Sequence, residues 1–166
     1  MLISNLEGTV RLAEKVARGD LSVEVNILSE KDTLGKSLTL MVNTIKNIVK
    51  DINMLTDAVQ EGRLDTRGKP DKFRGEYARI VKGVNDTLDA VVGPLKVTAG
   101  YVDRISKGNI PEKITDEYKG DFNEFRNNIN TMIENLSRFA FDVQNAADLV
   151  STGSEELSSG AAQVSQ

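Results

Sequence analysis

The 166-residue chain contains no cysteine, no histidine and no tryptophan. Without cysteine and histidine it cannot form disulfides, thiolate metal sites, histidine ligands to haem or a phosphohistidine, and it has no imidazole for acid–base catalysis. Aromatic residues make up only 5% of the chain, so we expect a thin, aliphatic core. No run of about 18 apolar residues occurs, and we therefore expect no membrane-spanning helix. The net charge of −4 comes from interspersed acidic and basic residues, unlike the concentrated basic face of a nucleic-acid-binding protein.

The sequence does contain one pattern three times: a helix that ends in glycine, an apolar residue two positions later, a polar connector and a second helix. The helix-ending glycines are Gly19, Gly62 and Gly108, and the apolar residues are Leu21, Leu64 and Ile110. The second helices are predicted to begin at Leu34, Tyr77 and Phe122. Spacings of 43 to 46 residues are typical of stacked copies of one supersecondary unit. Such an array suits a rod and leaves no room for an enzyme pocket.

Apolar residues in the second helices follow a heptad pattern. In the first repeat they step alternately by four and three residues: Leu34, Leu38, Met41, Ile45, Ile48, Ile52, Leu55 and Val59. The last helix has an apolar residue at every seventh position: Ile129, Leu136, Val143, Val150, Leu157 and Val164. These steps predict long helices with a narrow apolar seam. Because one helix cannot bury its own stripe, a partner chain is the simplest explanation.

Gly93-Pro94 interrupts the seam that begins at Tyr77. An interior proline costs a helix about 3 kcal/mol, whereas proline is well tolerated in the first turn. We therefore expect a new helix to begin at Pro94.

The connectors, predicted at residues 20–33, 63–76 and 109–121, are long for structureless loops. Each contains a few apolar residues, among them Phe73 in the second connector and Tyr118 in the third. Alternation from Leu21 to Val25 is compatible with a short strand. We favour an extended segment pinned on a helix bundle, because no matching strand partner occurs.

These motifs resemble the HAMP domain, a signal-relay module of bacterial receptors and sensor kinases. Its unit is a helix, a connector that opens with Gly-Asp-Leu, and a helix that opens near Asp-Glu-Ile-Gly. The first repeat has Gly19-Asp20-Leu21 and Asp32-Thr33-Leu34-Gly35, and the third has Pro94 and Gly108-Asn109-Ile110. The second and third repeats depart from the second signature, with Gly75-Glu76-Tyr77 and Gly120-Asp121-Phe122, and the second has Arg63 in place of the acidic residue.

The resemblance implies an all-α fold of elongated, parallel homodimeric four-helix bundles, stacked end to end and leading into a coiled coil. The predicted domains are residues 1–53, 54–93 and 94–139, followed at 140–166 by a segment similar to the start of the signalling coiled coil of methyl-accepting chemotaxis receptors. Within that segment, Glu155 and Glu156 resemble receptor methylation sites, although a solvated helix face is the simpler interpretation.

The implied function is non-catalytic signal relay in the cytoplasm, without metal or cofactor. The expected partners are a second copy of the chain and, in a full-length receptor, a downstream chemotaxis kinase and its adaptor. Neither nucleic acid nor membrane insertion is expected. A linker of a sensor histidine kinase and a purely structural coiled-coil rod remain alternatives. The residues expected to carry packing and relay are Gly19, Leu21, Leu34, Gly62, Leu64, Phe73, Tyr77, Pro94, Gly108, Ile110, Tyr118 and Phe122. We expect Leu21, Leu64 and Ile110 to fold back between the two helices of each repeat.

Overall fold

The protein is all-α in the part that the computed structural model describes, residues 2–164. The α-helices are α1 (Leu2–Ala17), α2 (Thr33–Gln60), α3 (Glu76–Ser106) and α4 (Phe122–Val164), and a single 3₁₀ turn spans Pro70–Lys72. The described residues contain no strand, so the extended alternative for the first connector is correct. Met1, Ser165 and Gln166, at the ends of the first and last predicted segments, lie outside the described residues, as do the side chains of residues 2–6, 162 and 164.

The three glycine-terminated helix ends have the same geometry. Gly19, Gly62 and Gly108 have φ angles of 86°, 77° and 77°. The residue after each glycine donates its amide to a carbonyl five positions earlier: Asp20 to Lys15 at 2.9 Å, Arg63 to Ala58 at 2.8 Å and Asn109 to Arg104 at 3.0 Å. This pattern is a Schellman cap, which requires the left-handed conformation at the glycine. The predicted helix ends are confirmed.

The start of α2 is fixed by a side-chain cap. Asp32 Oδ1 accepts a hydrogen bond from the Gly35 amide at 2.8 Å, and Oδ2 accepts one from the Leu28 amide at 3.0 Å. An acceptor at this position satisfies amides that the first helical turn leaves free. A Cβ on Gly35 would lie 2.5 Å from Asp32 Oδ2. The Asp-x-x-Gly spacing therefore has a direct steric reason.

The predicted helix start at Pro94 is wrong, because α3 continues through Pro94 to Ser106. Proline removes one hydrogen bond, the one its own amide would have donated to Ala90, and leaves the other turns intact. Apolar side chains flank this position, with Val92 buried just before it. Burying one such side chain contributes about 1.5–3 kcal/mol, comparable to the cost of an interior proline. Tertiary packing therefore overrides the local preference.

The chain forms two compact units, residues 1–90 and 91–166. In the first, Ile48 of α2, Phe73 of the second connector and Val81 of α3 form a buried cluster. Nearer the end of α2, Leu55 lies beside Gly68, and Gly68 bonds Asn85 of α3. Residues later in α2 therefore lie beside residues later in α3. The two helices run in the same direction, and the connector returns between them, as predicted.

The second compact unit has a separate core. Ile114 of the third connector packs with Ile129 and Ile133 of α4. Around them lie the half-buried side chains Tyr101, Ile105, Tyr118 and Met132. A connector side chain again completes a core between two helices.

Beyond this core α4 continues with its apolar seam uncovered. Val143, Val150 and Leu157 are 51%, 70% and 77% exposed in the single chain. They are seven residues apart and therefore follow one side of the helix in a coiled-coil repeat. The boundaries of the three predicted domains remain a prediction.

Candidate functional site

The connectors are the candidate functional site, and the second and third are bonded to the helix that follows them. Asn85 of α3 binds both polar groups of Gly68: its Oδ1 accepts from the Gly68 amide at 2.8 Å, and its Nδ2 donates to the Gly68 carbonyl at 3.0 Å. Both distances are those of good hydrogen bonds. One side chain therefore fixes the position and the orientation of this connector residue.

The same contact recurs in the third repeat. Asn130 Oδ1 accepts from the Ile114 amide at 2.7 Å, and its Nδ2 donates to the Ile114 carbonyl at 3.1 Å. Gly68 and Ile114 each lie six residues after their helix-ending glycine, and each asparagine lies eight residues after the predicted helix start. We call each of these paired contacts an amide latch.

A charge pair accompanies each latch. Arg67 binds Asp89 through Nη2 at 2.6 Å and Nε at 2.9 Å. In the third repeat Lys113 pairs with Glu134, and this lysine holds the pKa of the Glu134 carboxyl below its ordinary value through a hydrogen bond and its charge. In each pair the carboxylate is about half exposed or more, although the Arg67 side chain is only 23% exposed, so the main contribution of the pairs is to orient the connector rather than to stabilise the fold.

The second connector approaches α3 so closely that Gly68 has no room for a side chain. A Cβ there would lie 2.6 Å from Val81 Cγ1. In the third repeat the corresponding residue is Ile114, whose side chain is buried between the helices. The latches therefore hold a backbone contact in one repeat and a core side chain in the other.

The first repeat is held differently. Val42 of α2 occupies the position of the latch asparagines and is buried. The connector is tied locally at its two ends: Asp20 accepts from the amide and hydroxyl of Ser22, and Asp32 accepts from Leu28 and Gly35. These bonds lower the pKa of both aspartates. Between the two ends Val23 is buried.

The predicted relay residues fall into two groups. Phe73 is buried, and Leu21, Leu64, Tyr118, Phe122 and Pro94 are half-buried. Leu34, Tyr77 and Ile110 are exposed in the single chain, at 52%, 39% and 37%. The insertion of Ile110 between the two helices therefore stays a prediction. The connector side chain that is buried there in the single chain is Ile114, four residues later.

Sequence reasoning missed Asn85 and Asn130 as functional candidates. The signal was present, since both asparagines stand at the same position of the repeat. It was not used because asparagine in a helix is ordinarily a solvated residue. For Val23 and Ile114 the sequence offers no signal beyond an apolar residue in a polar connector.

The described part of the chain holds no group of three or more acidic side chains placed to bind a metal ion. No helix there has the length and hydropathy needed to cross a bilayer. A shallow groove of about 760 Å³ lies between the third connector and α4, with Pro111, Lys113 and Glu134 in its wall. Of the two glutamates in this wall, Glu112 and Glu134, the second is already paired with Lys113.

Comparison with known proteins points to bacterial signalling. Residues 72–138 match the model of the HAMP domain family. Over 103 residues the chain is 24% identical to the methyl-accepting chemotaxis protein McpB of Pseudomonas aeruginosa, covering 62% of this chain and 15% of that protein. Over 79 residues it is 34% identical to the methyl-accepting chemotaxis protein McpA of Bacillus subtilis, covering 48% of this chain and 12% of that protein. The chain thus spans a small fraction of these relatives, and the matches support a HAMP-containing segment of a chemoreceptor-like protein.

Proposed function

We propose that the chain is a cytoplasmic signal relay of three consecutive HAMP units, which passes a conformational change from an upstream sensor to the kinase-control region of a chemotaxis receptor. The observation that carries the proposal is the continuity of α4. Ile129 and Ile133 lie in the core beside the third connector, and the same helix continues to the exposed seam at Val143 and beyond. A change of packing at the core reaches the seam without crossing a loop.

The relay is proposed to operate as a parallel homodimer. The seam residues of α4 and the exposed Leu34 and Tyr77 are apolar surface that a single chain leaves uncovered. A second copy in the parallel orientation places each seam residue against itself, so that the apolar a and d positions of the two chains form one continuous core. A structural rod also has such a seam, but it needs neither Schellman caps nor latched connectors.

Changing the phase of α4 tests the relay. In a chemotaxis receptor whose HAMP segment is replaced by this chain, deletion of residues 144–150 removes one heptad and keeps the seam in phase, whereas deletion of residues 144–147 rotates it. We expect the first variant to keep stimulus control of the kinase and the second to lock kinase activity high or low. Equal stimulus control in both variants would overturn the proposal.

The dimer is tested separately with single cysteines, which are unique because the chain has none. Leu88 belongs to the predicted seam that begins at Tyr77 and continues through Val81 and Val84. Leu88→Cys is therefore expected to crosslink to itself in mild oxidant. Asp86→Cys, an exposed position on the same helix, is the matched control and is expected to crosslink far less. A monomeric mass in analytical ultracentrifugation at micromolar concentration would overturn the dimer.

A further inference from the structure

We propose that Asn85 and Asn130 are positioning residues that set the register of the second and third connectors, and that the first repeat is left unlatched as the place where packing changes. The latch is a set of hydrogen bonds within the chain and is testable on the chain alone. Its consequence for signalling rests on the proposed relay function.

Each latch joins one asparagine side chain to the backbone of one connector residue. Asn85 and Asn130 each use both amide groups on one connector residue. A slip of the connector by one residue breaks both bonds together, because donor and acceptor must be matched at the same time. An apolar contact, in contrast, tolerates sliding, because the hydrophobic effect does not depend on how the contacting groups are oriented.

The charge pair holds the connector residue next to the latch. Asp89 lies four residues after Asn85, and Glu134 lies four residues after Asn130. Residues four apart share one face of a helix. Consecutive connector residues, Arg67 with Gly68 and Lys113 with Ile114, are therefore held at two successive turns of one helix face. This two-point attachment fixes the position of the connector along the helix.

The first repeat lacks the latch asparagine. Its positions corresponding to the latch are Val25 and Val42, and those corresponding to the charge pair are Glu24 and Lys46, with the signs exchanged. The valine side chain of Val42 offers no hydrogen-bonding group. Near the start of α2 the connector is bonded through the Leu28 amide to Asp32 and through the Glu30 carbonyl to Lys36. Its middle is held by the burial of Val23, a contact without register, and this middle segment is the part proposed to shift along the helix.

Amide hydrogen exchange of the chain, measured residue by residue, tests the latch. We expect the Gly68 and Ile114 amides to exchange more slowly than the Val25 amide by on the order of tenfold or more, the factor that one lost hydrogen bond gives. Asn130→Val, which installs the residue of the first repeat, should bring Ile114 to the rate of Val25 and leave Gly68 unchanged. Asn128→Val, an exposed asparagine on the same helix, is the control and should change neither amide.

Two outcomes would overturn the latch: equal exchange at Val25, Gly68 and Ile114 in the unaltered chain, or an unchanged Ile114 rate in Asn130→Val. If Asn130→Val lowers the helicity seen by circular dichroism, Asn130→Ala replaces it. That variant also removes both the acceptor for the Ile114 amide and the donor to its carbonyl, so exchange at Ile114 should again speed up, and an unchanged Ile114 rate would overturn the latch.

The consequence for signalling is tested by transferring the latch. Val42→Asn should slow exchange at Val25 and, in the receptor chimera, narrow the range of kinase activity between stimulus extremes while the melting temperature of the chain changes little. If Val42→Asn protects the Val25 amide but leaves the full range of kinase activity, the first repeat is not the one that moves. If the unaltered chimera does not control the kinase, the relay function fails while the exchange pattern still decides the latch.

Discussion

Lys72 Nζ lies 3.4 Å from each carboxylate oxygen of Asp51, linking the 3₁₀ turn of the second connector to the middle of α2. Asp51 is the buried charged residue of the described core, and Lys72 is half exposed. Lys72 immediately precedes the buried Phe73. It therefore helps to hold the connector where its aromatic anchor enters the core.

Removing one partner of this pair is expected to destabilise the chain. Lys72→Met leaves the Asp51 carboxylate buried without its cation, which costs about 1–3 kcal/mol in the free energy of unfolding. Urea denaturation followed by circular dichroism measures the change. Lys69→Met, an exposed lysine of the same loop, is the control and should be nearly neutral. Equal stability of both variants would show that the pair does not contribute.

The cap of α2 should depend on pH in a defined direction. Hydrogen bonds from the Leu28 and Gly35 amides hold the pKa of Asp32 below its ordinary value of 3.8. A depressed folded-state pKa gives stability that is present above pH 3.8 and is lost as the pH falls through the lower, folded value. The Gly35 amide resonance should therefore titrate with a midpoint below pH 3.8, followed by NMR. In Asp32→Asn this titration should disappear, and a midpoint at or above pH 3.8 in the unaltered chain would contradict the prediction.

The Gly68 contact predicts a coupled pair of substitutions. Gly68→Ala forces a Cβ to within 2.6 Å of Val81 Cγ1 and should destabilise the chain by about 1–3 kcal/mol through overpacking. In Val81→Ala the obstructing methyl group is gone, so the double variant should lose less than the sum of the two single losses. The free energy of unfolding of all four chains measures this coupling.

Gly83→Ala is the matched control for this pair, because nothing lies within 4 Å of the Cβ it adds on α3. Alanine in place of a mid-helix glycine should stabilise by about 0.5–1 kcal/mol. Additive losses at Gly68 and Val81 would show that the cost of Gly68→Ala does not arise from contact with Val81.

Several elements of this fold were predictable from local sequence, because short-range chemistry decides them. The Schellman caps follow from a glycine with an apolar residue two positions later, and the starts of α2, α3 and α4 fall within one residue of their predicted places. Pro94 was mispredicted because its cost is local while its compensation, the burial of α3 side chains, is tertiary. The recurrence of Asn85 and Asn130 at one position of the repeat is visible in the sequence, but their partners in the connectors are not, since asparagine in a helix pattern carries no mark of which residue it will bind.

The last prediction compares Ile110 with Ile114, two isoleucines of the third connector that differ in burial. Ile114 is 6% exposed and Ile110 is 37% exposed. Ile114→Ala should cost about 2–5 kcal/mol in the free energy of unfolding, as for other buried isoleucines, and Ile110→Ala much less. In the receptor chimera, Ile110→Ala and Leu64→Ala should nevertheless shift kinase output while dimerisation and helicity persist, because each residue follows a helix-ending glycine at the base of a connector. Wild-type output in both variants across a full stimulus titration would assign these two side chains to the solvated surface and leave control of the third connector to Ile114 and Asn130.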